Sequence, residues 1–108
     1  MSQEKPYIGE FEELVLLAIL KLGESAYGVP IREALEEATG RTISVGALYA
    51  TLNRLEEKGL ISAKTGDATP ERGGRAKRYF TVLGAGQQAL DEAEASRRRL
   101  RELKAAVS

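Results

Sequence analysis

Two groups of residues in this 108-residue chain have types and spacing suited to recognising another surface. The first lies in Ser44-Val45-Gly46-Ala47-Leu48-Tyr49-Ala50-Thr51-Leu52-Asn53-Arg54-Leu55. At 100° per residue in a helix, Gly46, Tyr49, Ala50 and Asn53 point away from the Leu48, Leu52 and Leu55 stripe, with Arg54 at their edge. Small side chains let such a helix approach closely, and a phenol hydroxyl and an amide then make directional hydrogen bonds. The floor of a DNA major groove accepts a helix of this kind. The second group is Arg72, Arg75 and Lys77, cations on a polar, glycine-rich stretch that includes Gly73-Gly74. Cations on such backbone suit phosphates or the minor groove. Each group has a plainer alternative: a second buried face in a three-helix core for the first, a solvated loop for the second.

Composition removes most other chemistry. The chain has no histidine and no cysteine, so it lacks the commonest general base, a thiolate nucleophile and any disulfide framework. No phosphate-cradling loop followed by Lys-Ser/Thr occurs, no carboxylates converge, and Gly73-Gly74 alone is not a nucleotide site. An enzyme is not expected, nor a metal, nor a cofactor. No apolar run approaches the roughly 20 residues that span a bilayer, and no signal pattern opens the chain. The expectation is a soluble cytoplasmic protein with no membrane partner. Net charge is zero, but it is unevenly spread: residues 1–40 hold three basic and eight acidic side chains, residues 41–80 eight and four, and residues 81–108 five and four. The basic excess coincides with the two candidate groups, as expected for a surface that meets a phosphate backbone.

The elements that must position these groups are legible from periodicity. A helix begins after Gly9, with Phe11, Leu14, Ala18 and Leu22 as one stripe, yet it is apolar all round from Leu14 to Leu20, so it needs cover on more than one side; Gly23 stops it. A second helix opens near Tyr27-Gly28, tolerates Pro30 in its first turn, turns Ile31, Leu35 and Ala38 inward, shows Glu33, Glu36 and Glu37 to solvent and ends at Gly40. Ser44 is placed to cap the third helix, which closes at Lys58-Gly59. Strands are expected at Leu60–Lys64 and Arg75–Val82, joined by a long hairpin tip. From Gly84 the chain turns helical nearly to its end, about 23 residues and roughly 35 Å. Ala89, Ala93, Ser96, Leu100, Leu103 and Val107 form a heptad seam along it, widened by Leu90. That seam is expected to meet a second subunit and to cover the surplus apolar side of the first helix, assigned to Leu16 and Ile19. Arg97-Arg98-Arg99 and Arg101 read as a solvated face.

Gly9-Glu10-Phe11-Glu12, Tyr27-Gly28, Ser44-x-Gly46-x-x-Tyr49, Leu55-Glu56-x-x-Gly59-Leu60-Ile61 and Arg75-x-Lys77-Arg78-Tyr79-Phe80, in this order, resemble the PadR family of bacterial winged-helix regulators. The resemblance runs from Gly9 to about Leu90, and the short last helix is similar to the compact subgroup. It implies a homodimer that binds a palindromic double-stranded DNA operator, usually as a repressor, released by a small molecule or stress signal in some members. Carried over by position, Ser44, Gly46, Tyr49 and Asn53 belong to the groove-facing helix and Arg72, Arg75 and Lys77 to the wing. The family usually has a Leu-Thr pair before its last helix, the threonine capping it; here Val82-Leu83 stands there. Members that bind flat aromatic drugs at the dimer interface often use a tryptophan, and this chain has none. No residue stands out as lining an effector pocket.

The expected architecture is mainly α with a small β-hairpin: a loosely ordered segment at 1–8, a winged helix-turn-helix at 9–83 and a dimerisation helix at 84–108. The expected function is a dimeric, sequence-specific DNA-binding transcription regulator. DNA contacts are assigned to Ser44, Gly46, Tyr49, Ala50, Asn53, Arg54, Arg72, Arg75 and Lys77. The dimer interface is assigned to Leu16, Ile19, Ala93, Leu100, Leu103 and Val107. The alternative is a winged-helix module that docks a protein through the same surface, since fold alone does not decide.

Overall fold

In the computed structural model, residues 7–66 and 76–103 are described. Helix α1 spans Glu10–Leu22, α2 Gly28–Thr39, α3 Val45–Glu57 and α4 Gly84–Glu102, and strands β1 and β2 span Ile61–Thr65 and Arg78–Val82. A single 3-10 turn, Gly23–Ser25, links α1 to α2. Among the described residues no helix is long and apolar enough to cross a membrane. The arrangement is a winged helix: three helices around one core, a hairpin beside them, and a last helix laid against α1 and β2.

The core takes one stripe from each helix. Val15, Leu16 and Ile19 of α1, Ile31 and Leu35 of α2, and Leu48, Leu52 and Leu55 of α3 are buried together with Leu60, Ile61 and Phe80. The turns into α3 are built as the residues dictate. Gly40 ends α2 in the left-handed region at φ 71°, a conformation that glycine adopts without steric cost. Ser44 Oγ then accepts the Ala47 N–H at 3.0 Å, capping α3. The Glu36 carboxylate accepts the Ile43 N–H, and Arg32 Nε donates to the Ile43 carbonyl, so the turn of the helix-turn-helix is tied to α2 through side chains.

The hairpin is antiparallel, with Ile61 opposite Val82, Ala63 opposite Phe80 and Thr65 opposite Arg78. Both strands differ from the sequence expectation. Leu60 is no strand residue but a fully buried plug between α3 and the hairpin, its N–H donating to the Leu55 carbonyl and its carbonyl accepting from Leu83 N–H. Strand β2 begins at Arg78, with Ala76 and Lys77 irregular and Arg75 outside the described residues. The Phe80 N–H donates to the Ala26 carbonyl at 2.9 Å, which ties the hairpin to the start of α2.

The first and last elements also correct the expectation. Tyr7 is exposed, yet its carbonyl accepts from Lys58 Nζ and Ile8 packs on the core, so the loosely ordered segment does not extend to residues 7 and 8; residues 1–6 lie outside the described residues. The Leu83 side chain makes no cap for α4, in keeping with the absent threonine. The start of α4 is placed instead by Gly86, where a Cβ would stand 2.3 Å from the Leu60 carbonyl oxygen. Only a glycine permits that approach.

Leu16 and Ile19 are 0% and 2% exposed and belong to the monomer core, so they offer nothing to a second subunit. The outward apolar side of α1 is Leu17 and Leu20, one helix step away. The run Leu14–Leu20 has no polar residue to mark its phase, and the buried face is set by partners that the sequence does not display. Along α4, Ala89 and Leu90 are buried within the chain and Ala93 is half-buried. Farther on, Leu100 and Leu103 are 71% and 67% exposed. Val107 is outside the described residues.

Candidate nucleic-acid interface

The outer face of α3 follows from its inner one. Leu48, Thr51, Leu52 and Leu55 are buried, and the helical rotation leaves Gly46, Ala50 and Asn53 exposed, with Tyr49 partly so. No neighbouring atom lies within 4 Å of where a Gly46 Cβ would be. Tyr49 lies beside α2: a Cβ on Gly28 would lie 2.0 Å from the Tyr49 hydroxyl oxygen. The glycine at the start of α2 therefore makes room for the phenol and sets the direction in which it leaves the helix. Ser44 is exposed beside this face while its hydroxyl caps α3.

Arg54 is exposed but occupied. Its Nε donates to Glu12 Oε2 at 3.4 Å and its terminal nitrogen to Thr51 Oγ1 at 3.1 Å. It serves the contact between α1 and α3 more directly than the outer face on which the sequence placed it. Glu12 itself anchors α3 to α1, a role that sequence reasoning passed over except as part of a motif. Its buried carboxylate accepts from Lys58 Nζ at 2.9 and 3.0 Å and from the Gly9 N–H at 2.8 Å. Burial works to raise its pKa, but the hydrogen bonds from Lys58 and Gly9, the Lys58 charge and the Arg54 hydrogen bond outweigh this and hold it below the ordinary glutamate value. The signal available in the sequence was the spacing Gly9-x-x-Glu12, the reach of an N3 glutamate back to the N-cap N–H. Beside it, Glu13 pairs with Arg97 of α4, one of the residues on the mostly solvated face expected there.

The wing is described only at its base. Arg72 and Arg75 lie outside the described residues. Lys77 Nζ stands 4.7 Å from the centre of the Tyr27 ring, a cation–π contact, and Tyr27 meets Tyr79 edge to face with ring centres 5.4 Å apart. Arg78 turns back to Glu56, donating to both carboxylate oxygens at 2.9 and 3.1 Å. Consecutive residues at the start of α2 thus touch both candidate groups: Tyr27 carries Lys77, and Gly28 accommodates Tyr49.

The electrostatics sort the cations of this region into two kinds. Arg54, Lys58 and Arg78 each face a carboxylate, while Lys77, among the described residues, stands over the Tyr27 ring. An exposed face of small and hydrogen-bonding residues, next to a hairpin base that carries the exposed Lys77, can read a polar surface and hold a phosphate.

Comparison with known proteins places the fold. The sequence matches the "Transcriptional regulator PadR-like family" over residues 16–92. A PadR-like transcription factor from Bacteroides fragilis is 31% identical, with 85% of this chain and 84% of that one covered and a TM-score of 0.70. A PadR family transcriptional regulator from Eggerthella lenta is 28% identical over 86% of this chain and 80% of its own, with a TM-score of 0.66. The complex structure of hsRosR-SG is similar in fold, with a TM-score of 0.72 at 21% identity over 96% of this chain and 85% of that one. No curated protein matches the sequence.

Proposed function

The chain belongs to the PadR-like family of transcriptional regulators, which are not enzymes, and from that premise we propose that it is a dimeric repressor that binds a palindromic DNA operator in the cytoplasm. The observation that carries this reading is the outer face of α3. Gly46, Tyr49, Ala50 and Asn53 stand exposed on a helix whose inner face and N-cap are fully used. A helix with so little side-chain bulk on its free side fits a major groove, where Asn53 and Tyr49 reach base edges. Lys77, with Arg72 and Arg75 from the wing, holds the flanking backbone. Ser44 contributes at the edge of the same surface; Arg54, assigned there by spacing, is engaged by Glu12 and Thr51.

Two α3 helices in one dimer would enter successive major grooves about 34–36 Å apart. The second copy would meet the distal part of α4 at Ala93 and Leu100, with Leu103 in the extended backbone just past the helix, and the Leu17 and Leu20 side of α1; Val107 is assigned to the same seam from its spacing in the sequence alone. Exposed leucines on both elements support this pairing. In light scattering, Leu100→Glu with Leu103→Glu should lower the mass towards that of a monomer; an unchanged mass would refute the dimer seam.

Selection of bound duplexes from a random pool tests operator binding, half-site symmetry and spacing together. A two-fold symmetric sequence with centres one helical turn apart is expected. Recovery of no duplex, with no salt-sensitive shift at micromolar protein, would refute DNA binding. Repression is checked by deleting the gene and measuring transcripts from the selected site's promoter, which should rise; a fall would reverse the sense of regulation.

A further inference from the structure

Resting on that DNA-binding reading, we infer that Val45 is a specificity-determining residue that reads the C5-methyl group of a thymine in each half-site. Val45 is the first residue of α3 and is 53% exposed. Across from it at the start of α2, Val29 is 60% exposed. The two valines and Tyr49 share a hollow of about 320 Å³ between α2 and α3. Nothing in the fold calls for valine here, since neither side chain is in the core and β-branched residues are modest helix formers. One uncovered apolar side chain at the leading end of the helix that enters the groove, with a second facing it from α2, forms a small apolar surface open to a counterpart.

Base chemistry offers one. The major-groove edges of all four base pairs present donors and acceptors, and the only apolar feature among them is the thymine methyl. In helix-turn-helix proteins the N-terminal residues of the recognition helix are those that reach base edges. The rim of the hollow carries Glu33 and the Arg32–Glu36 pair, a carboxylate surplus that turns phosphate away, so a base edge and not the backbone fits there. The rest of the reading face agrees. Arg54, a cation that could have gripped guanine, is turned to Glu12 and Thr51, which leaves Asn53, suited to adenine, and the methyl of Ala50. The segment from 41 to 80, which includes α3 and Lys77, carries the chain's basic excess, in keeping with a phosphate backbone beside the base-reading face.

The test uses the full chain and a duplex recovered by random-pool selection, synthesised with deoxyuridine replacing each thymine of a half-site in turn. At one position the wild type should lose affinity about fourfold, the worth of one buried methyl. Val45→Ala should bind the thymine duplex about as weakly and show no further loss with deoxyuridine at that position. As alanine favours helix at this exposed site, the variant is expected to fold, and circular dichroism checks this. Val45→Thr, similar in shape with one methyl exchanged for hydroxyl, should fall between them. Selected half-sites without thymine, indifference of the wild type to every deoxyuridine, or full deoxyuridine sensitivity in Val45→Ala would each overturn the inference while leaving DNA binding intact. Failure of the wild type to retain any duplex would instead overturn the reading on which it rests.

Discussion

The inner and outer faces of α3 lie one side chain apart and are built on opposite terms. Inside, Leu48, Leu52 and Leu55 are buried against α1, α2 and the hairpin, and even Thr51 is buried, with its hydroxyl accepting from Arg54. Outside, Gly46, Ala50 and Asn53 are exposed, and Tyr49 lies against Gly28. On the proposed function, one helix separates stability from recognition by rotation alone: a substitution on one side should move unfolding, and on the other binding. The C-terminal end of α3 belongs with the inner face, because Glu12 holds both Arg54 and Lys58 to α1.

That division can be broken in graded ways. Leu52→Ala removes a fully buried side chain from the centre of the core and should cost about 2–5 kcal/mol in urea unfolding, with DNA affinity falling only as the folded fraction falls. Gly28→Ala should do the reverse. Its new methyl displaces the Tyr49 ring, so specific binding should fall about tenfold, on the scale of a lost base contact, with the unfolding midpoint nearly unchanged. A midpoint shift as large as that of Leu52→Ala would show that Tyr49 is a core residue.

Glu12→Gln probes the anchored end. Because Arg54 and Lys58 remain partly solvated, the expected loss at neutral pH is about 1–2 kcal/mol. The pH dependence is the sharper readout. The Glu12 pKa is lower in the folded chain than its ordinary value of 4.5, so its contribution is fully present above that value. It is lost as pH falls through the depressed folded value. Wild-type stability should carry this acid-limb loss, and the glutamine variant should lack that part of it. The smallest effect is expected from Lys77→Ala, which should reduce the salt slope of binding by about one with little change in sequence preference.

How much of this was legible in the sequence depends on whether a residue's role is local. The Ser44 cap, the Gly40 stop and the bare face of α3 follow from spacing along one helix, and the structure has them where the spacing put them. The phase of α1 was not legible, because a run apolar at every position from 14 to 20 contains no marker of which side is inner; Leu16 and Ile19 went inside and Leu17 and Leu20 outside. Arg54 misled for a related reason. Its position pointed to the outer face, but the partner that claims it is 42 residues away in sequence. Leu60 looked like strand because it is apolar beside an apolar residue, whereas its contacts are those of a plug between α3 and the hairpin.

The central claim is that the exposed side of α3 reads DNA sequence. It is met most directly by titrating the wild type and the double variant Tyr49→Ala with Asn53→Ala against a selected duplex and a scrambled one, at two salt concentrations. The account predicts that the double variant binds both duplexes equally weakly, at the wild type's affinity for the scrambled one and with a similar salt slope. Retention of the wild type's full preference for the selected duplex would contradict it.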